Sequence, residues 1–176
     1  MAATRRDSRE QIIKHRAALY EWRDGALVNS RFVNPTLFDN GDGGLVTSVL
    51  DVAKLDSALA PGGLLKRETL EQMWTPVNFT GRTLKHYGFG WYLNEMGGQR
   101  IVLHGGGRPG TSTQFTRFLD AKLTVVVLTN RSGANSEEMA HEIARFYIDG
   151  LPPYQIQSIE HPPQWDAGGN LIPASK

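Results

Sequence analysis

Over the first forty positions apolar residues follow no steady period: Ile12, Ile13, Leu19, Tyr20 and Trp22 are scattered through polar chain. The clearest local signal there is Asp24-Gly25, set between Tyr20-Glu21-Trp22 and Ala26-Leu27-Val28. Glycine adopts positive φ without strain and so reverses a chain tightly, which predicts a β-hairpin at this point. The run Asn40-Gly41-Asp42-Gly43-Gly44 reads as a loop. Ser48 with Asp51 three residues on has the form of a capping box and predicts a helix over residues 48–59. Its Val49, Val52, Ala53 and Leu59 fall roughly on one side, and Pro61-Gly62-Gly63 ends it. A short helix is predicted over residues 68–74, with Leu70, Met73 and Trp74 apolar and Pro76 as its stop.

From residue 87 onward the pattern changes to short apolar runs bounded by glycine or polar residues, which predict strands at 87–93, 100–104, 111–119 and 123–129. In the last of these, the run Leu123-Thr124-Val125-Val126-Val127-Leu128 turns apolar side chains toward both faces. A strand of that kind suits the middle of a sheet covered on both sides. Asp120-Ala121-Lys122 joins it to the preceding strand as a hairpin, making the two antiparallel neighbours. Asn135 and Glu138 then open a helix whose stripe of Met139, Ile143, Phe146 and Tyr147 is predicted to pack on the sheet. The expected fold is α+β: an antiparallel sheet of three main strands plus a short extra strand, packed by a C-terminal helix and preceded by short helices. Residues 1–150 form that domain, and residues 151–176, with Pro152, Pro153, Pro162, Pro163 and Pro173, form an extended tail. No internal repeat interrupts this order.

Composition narrows the function. The 176 residues are 40% hydrophobic and 21% charged, which fits one globular domain or a large piece of one. Nineteen Lys and Arg against 18 Asp and Glu leave a net charge of +1, too weak a field to gather nucleic acid or an anionic membrane surface. The absence of cysteine excludes disulfides, thiolate metal sites and a thiol nucleophile. Arg5 and Arg6 lead at once into Asp7, Arg9 and Glu10 rather than an apolar run, so no signal or transit peptide is predicted and the default compartment is the cytoplasm. His15, His86, His141 and His161 are too dispersed, with too few acidic partners at helical spacing, to predict a metal site, and no cofactor is expected. Asn78-Phe79-Thr80 and Asn130-Arg131-Ser132 match a glycosylation pattern but are read as incidental.

The most distinctive segment is His104-Gly105-Gly106-Gly107-Arg108-Pro109-Gly110, directly after a predicted strand. Three readings are open. Gly105, Gly107 and Gly110 satisfy the G-x-G-x-x-G spacing of a dinucleotide site, but that motif must open a helix, and the residues after Gly110 read as a strand. The plain alternative is a glycine-rich connection with an incidental histidine. The third is catalytic: bare backbone lets substrate approach, an N–H faces a developing oxyanion, and the imidazole carries a proton.

The ordered set Gly43-Gly44-Leu45-Val46-Thr47-Ser48-x-x-Asp51, Leu64-Leu65, Thr69-Leu70-x-x-Met73-x-Thr75-Pro76 and Tyr87-Gly88-Phe89-Gly90-Trp91 resembles the second half of class C β-lactamase-like serine hydrolases. The resemblance continues through His104-Gly105-Gly106, Pro109-Gly110, Leu119-Asp120 and residues 123–130, with Arg16-Ala17-x-x-Tyr20 near the start, and so spans roughly residues 1–148. It implies a sheet domain contributing to a site in which a Ser-x-x-Lys serine attacks an ester or amide carbonyl, completed by a Tyr-x-Asn motif and a Lys-Thr-Gly strand. His104-Gly105-Gly106 then stands at the Lys-Thr-Gly position, with His104 as the catalytic side chain. Gly105, Gly106 and Gly107 serve as oxyanion or substrate-binding backbone, Gly107 offering the oxyanion N–H.

The departure from the family pattern is that no Ser or Thr has a Lys three residues later. Without an adjacent base a hydroxyl is a poor nucleophile, so the chain is expected to be inactive or weakly esterolytic by itself. Tyr92-Leu93-Asn94 fits Tyr-x-Asn in letters but comes after the Gly43 segment, whereas the family's motif precedes it. Ser112 is the candidate partner for a makeshift dyad with His104. Phe89 and Trp91 are expected in the core, with a substrate wall as the alternative. The resemblance also implies that the outer edge of the 123–128 strand is bare, which predicts a homo-oligomer through it. Two functions follow: one side of a hydrolase site acting on a small acyl ester or amide, or a non-catalytic module that self-associates or binds small molecules.

Overall fold

The structure is a computed structural model that describes residues 1–8, 10–30, 43–60, 62–78 and 86–155, together with the backbone of residues 79, 82–84, 164–165 and 171–172. In chain order the elements are β1 (Arg5–Arg6), β2 (Tyr20–Arg23), β3 (Ala26–Asn29), β4 (Leu45–Val46), α1 (Val49–Ala58), α2 (Arg67–Met73), β5 (Val77–Phe79), β6 (Arg82–Leu84), β7 (Tyr92–Met96), β8 (Gln99–Arg108), β9 (Thr111–Phe118), β10 (Leu123–Thr129), α3 (Ser136–Arg145), β11 (Gln164–Trp165) and β12 (Leu171–Ile172). The expected loop at residues 40–44 lies outside the described residues up to Asp42.

The main sheet has the order β10-β9-β8-β7 with antiparallel neighbours throughout. Alternation along its strands sorts the side chains onto two faces. Ile101, Leu103, Phe118 and Val125 meet Ala140, Ala144, Ile148 and Leu151 on one face. Val102 meets Leu59, Leu70 and Trp91 on the other, with Phe115 packed alongside. The sheet is therefore held between α3 and the pair α1 and α2.

Asp56 fastens α1 to its face of the sheet. It accepts from the Thr124 hydroxyl at 2.8 Å and lies 2.8 Å from Arg117 Nε, whose guanidinium carbon sits 5.3 Å from the centre of the Trp74 ring. Ser48 caps α1 as expected, accepting from Asp51 N–H. The core side of α1 is Val52, Leu55 and Leu59, while Val49, placed on that side by the sequence pattern, is half exposed. Asp51 ties the N-terminus down. Burial pushes its carboxylate pKa up, but the Ala3 N–H, the Thr4 hydroxyl, the Lys54 ammonium and the Thr4 N–H outweigh that and hold it at about 2.

Three expectations are corrected. The 123–128 strand is at the margin of the sheet, not its middle: among the described residues β10 pairs with β9 alone. Its two apolar faces reflect cover from helices above and below, and cover is independent of lateral position. The stripe Met139, Ile143, Phe146 and Tyr147 does not pack on the sheet; all four are exposed, Phe146 by 87%. Helix α3 instead turns Ser136, Ala140, His141 and Ala144 inward, because small side chains let a helix axis approach a sheet closely. The strand expected at 87–93 begins at Tyr92. Residues 87–91 double back on themselves, with Gly88 N–H donating to Trp91 O and Gly90 at φ 76.

The Asp24-Gly25 hairpin forms as predicted, with β2 paired to β3 and φ of 51 and 77 at the turn. It docks beyond the end of β10 through Tyr20 N–H to Asn130 O and Ser132 N–H to Tyr20 O. Asn130 and Ser132 of the second glycosylation pattern are both engaged there, Asn130 donating to Ala18 O and Ser132 accepting from Gly110 N–H. Leu151 is buried, His141 Nε2 donates to Pro152 O at 2.8 Å, and Tyr154 N–H donates to Glu142 at 2.9 Å. The first residues after Gly150 are thus strapped to α3. No helix among the described residues is long and apolar enough to cross a membrane.

Candidate active site

Strand β8 is longer than expected and carries the glycine run inside it. Pairing with β9 continues from Ile101 opposite Phe118 to Arg108 opposite Thr111, so the segment is strand rather than connection. Strand β7 reaches only as far as Tyr92, opposite Leu103. Among the described residues, the backbone of residues 104–107 therefore has a strand partner on one side only. Such a half-open edge offers N–H and C=O groups to an extended ligand.

His104 sits at the start of this edge and is exposed. Its Nδ1 lies 2.7 Å from Gly105 O, and a carbonyl oxygen only accepts, so Nδ1 carries a proton. In the neutral ring that leaves Nε2 bare, and the Tyr87 hydroxyl at 3.2 Å donates to it. Tyr92 completes the cluster: its ring meets Tyr87 edge-on at 4.8 Å and lies 5.4 Å from the imidazole. Burial, with Tyr92 close by, raises the Tyr87 pKa above its ordinary value.

The three glycines differ. A Cβ at Gly105 would stand 2.8 Å from Gln114 Oε1, and one at Gly106 would stand 2.8 Å from Thr113 Oγ1, so side chains of β9 already lie across both. Thr113 also donates to Gly106 O at 3.2 Å. A Cβ at Gly107 would meet nothing within 4 Å, making it the open position of the run.

Ser112 is not brought to His104. It pairs with Gly107, three positions along β8 from the histidine, and its hydroxyl donates to Ala134 O and meets Ser136 Oγ at 2.8 Å. That places it on the α3 side of the sheet, whereas His104 pairs with Phe115, which packs toward Trp91 on the other side. Asn94 likewise leaves the site, lining a small cavity on the α3 side with Thr116, Glu137, His141 and Tyr154. Trp91 is buried against Phe115 as expected, while Phe89 is 63% exposed rather than in the core. The resemblance brings the segment Tyr87-Gly88-Phe89-Gly90-Trp91 close to the site as a candidate substrate wall, but nothing in the sequence pairs Tyr87 itself with a histidine 17 positions on.

The fold is an α+β domain of the kind found in penicillin-binding proteins. The particular family is Beta-lactamase, and the chain belongs to it: the family's model matches residues 1–148. Penicillin-binding protein 4* of Bacillus subtilis is 32% identical over 117 residues, 66% of this chain and 26% of that protein. The octameric penicillin-binding protein homologue from Pyrococcus abyssi superposes with a TM-score of 0.62 at 26% identity, over 77% of this chain and 32% of that one. D-amino acid amidase from Ochrobactrum anthropi superposes with a TM-score of 0.59 at 26% identity, over 78% of this chain and 41% of that one. The chain thus spans about a quarter of the curated relative and less than half of either solved chain.

Proposed function

We propose that this chain supplies the strand side of a serine-hydrolase site that takes a small acyl ester or amide, and that it does not turn such substrates over at an enzyme's rate alone. The observation that carries this reading is the half-open edge of β8, with an exposed His104 followed by Gly105, Gly106 and the unobstructed Gly107. In this reading His104 carries or orients the proton at the acyl group, and the N–H of Gly107 faces the developing oxyanion. The names of the relatives, a penicillin-binding protein and a D-amino acid amidase, favour amide substrates. The attacking group is a hydroxyl with an amine base beside it, and these residues contain no Ser-x-x-Lys to provide it. Removing a nucleophile or its base costs roughly 10⁴–10⁶-fold in rate. Assayed with a chromogenic ester and a chromogenic β-lactam, the chain is expected to match its His104→Ala variant to within a few-fold. A covalent acyl adduct on any of its serines, seen by intact-mass spectrometry, would overturn the proposal.

A second reading, a self-associating module, is favoured by one observation. β10 has no partner beyond β9 among the described residues, and Met139 and Ile143 lie exposed on the helix that packs over it, with Phe146 and Tyr147 exposed just past its end. A bare edge strand suits a second copy, because a two-fold axis pairs the edge with itself, and exposed apolar side chains add surface for that copy to cover. The octameric homologue from Pyrococcus abyssi is in keeping with that choice. Sedimentation velocity is expected to show a concentration-dependent dimer, weakened by Phe146→Lys; a monomer at every concentration would count against it.

A further inference from the structure

The imidazole of His104 is held by two neighbours, and only one of them belongs to the glycine run. Gly105 O fixes the proton on Nδ1, and the Tyr87 hydroxyl faces Nε2. An isolated histidine side chain favours the opposite tautomer, with the proton on Nε2, so the local partners must select the form present here.

Tyr87 is itself built in place. Its carbonyl accepts from Val77 N–H at 3.0 Å, Gly88 N–H donates to Trp91 O at 2.8 Å, and Phe89 N–H donates to Met73 O at 3.0 Å. Its ring rests edge-on against Tyr92, with which it also forms an isolated backbone bridge. The 87–91 segment therefore carries the phenol to the imidazole from a different part of the chain. Ser112, the partner that proximity in sequence suggested, has its hydroxyl committed to Ala134 O and Ser136.

We propose that Tyr87 is the positioning residue of His104: by donating to Nε2 its hydroxyl holds the ring in the Nδ1–H tautomer and in the rotamer that faces the open edge of β8. This deepens the reading of the strand-side site and rests on it only for the catalytic consequence, since the hydrogen bonds stand whether or not an acyl group is ever bound. The consequence is that substrate meets the Tyr87 oxygen and His104 Nε2 as one unit, and a proton taken by Nε2 comes from a group that has displaced Tyr87 or passes through its hydroxyl.

The test is ¹⁵N-resolved NMR of the histidine rings in the full chain at neutral to mildly alkaline pH. Wild type is expected to show His104 with Nδ1 shifted to the protonated range and Nε2 to the unprotonated range, and a nuclear Overhauser contact between the Tyr87 ring and His104 Hε1. Tyr87→Phe keeps the ring and its packing and removes the hydroxyl; its two nitrogen shifts are expected to move toward each other as the Nε2–H form gains population. Tyr92→Phe, which leaves both hydrogen bonds of the imidazole intact, is expected to keep both shifts in place. A wild-type spectrum with the proton on Nε2, a missing Tyr87 contact, or identical shifts in wild type and Tyr87→Phe would each overturn the proposal, and the first two need no variant to fold. None of these readouts uses turnover, so their failure leaves the half-site reading standing, whereas an acyl adduct sinks that reading without touching the tautomer.

Discussion

Gly88→Ala is expected to destabilise the protein by about 2–4 kcal/mol, read as a lower urea midpoint with an unchanged slope. A Cβ at this position would lie 2.1 Å from Met73 O and 3.1 Å from Thr75 O. Both are backbone atoms at the end of α2, so no rotamer change relieves the overlap. The chain must move, and moving it breaks the bond from Phe89 N–H to Met73 O, worth about 1 kcal/mol by itself. Gly107→Ala is the matching control: a Cβ there meets nothing within 4 Å, so its cost is expected to stay within about 0.5 kcal/mol. Equal costs for the two would mean that the close approach of the 87–91 segment to α2 is absent in solution. Because the same segment carries Tyr87 to His104, the variant is also expected to disturb the tautomer.

Asp56→Ala is expected to cost about 3 kcal/mol, because it leaves the buried guanidinium of Arg117 without its counter-charge. The Arg117 side chain is 12% exposed, and its Nε meets Asp56 at 2.8 Å as an ion pair whose N–H does not point along the contact; neither Nε nor Nη1 has a hydrogen bond among the described residues. The guanidinium also lies against the face of Trp74. Thr124 loses its acceptor in the same variant. Removing the charge as well should reverse much of the loss: Arg117→Met together with Asp56→Ala is expected to be more stable than Asp56→Ala alone, by about 1–2 kcal/mol on chemical denaturation. A double variant no better than the single one would show that the ion pair is not what binds α1 to β9 and β10.

Much of the fold was legible because local chemistry dictated it. Asp24-Gly25 turned where its conformational preferences required, Ser48 capped α1, and Asn135 capped α3 through Glu138 N–H. What was misread shares one cause. Apolar residues mark what is covered in some assembly or from some direction, not which neighbour covers it. The run at 123–128 is apolar on both faces yet lies at the sheet's margin, and the largest apolar side chains of α3 face outward while two alanines face in.

The site divides along the same line. The sequence by itself determined that a strand leads into a histidine followed by three glycines, that no Ser or Thr has a Lys three residues later, and that the chain resembles β-lactamase-like enzymes over residues 1–148, because each of these is a matter of which residues occur and in what order. Only the tertiary structure decided that Tyr87 partners the histidine, that Ser112 belongs to the opposite face, and that Gln114 and Thr113 lie across two of the glycines. Those contacts follow from strand register and from a backbone that doubles back at Gly90, and a one-residue shift in either would exchange every partner without altering the composition or the motifs.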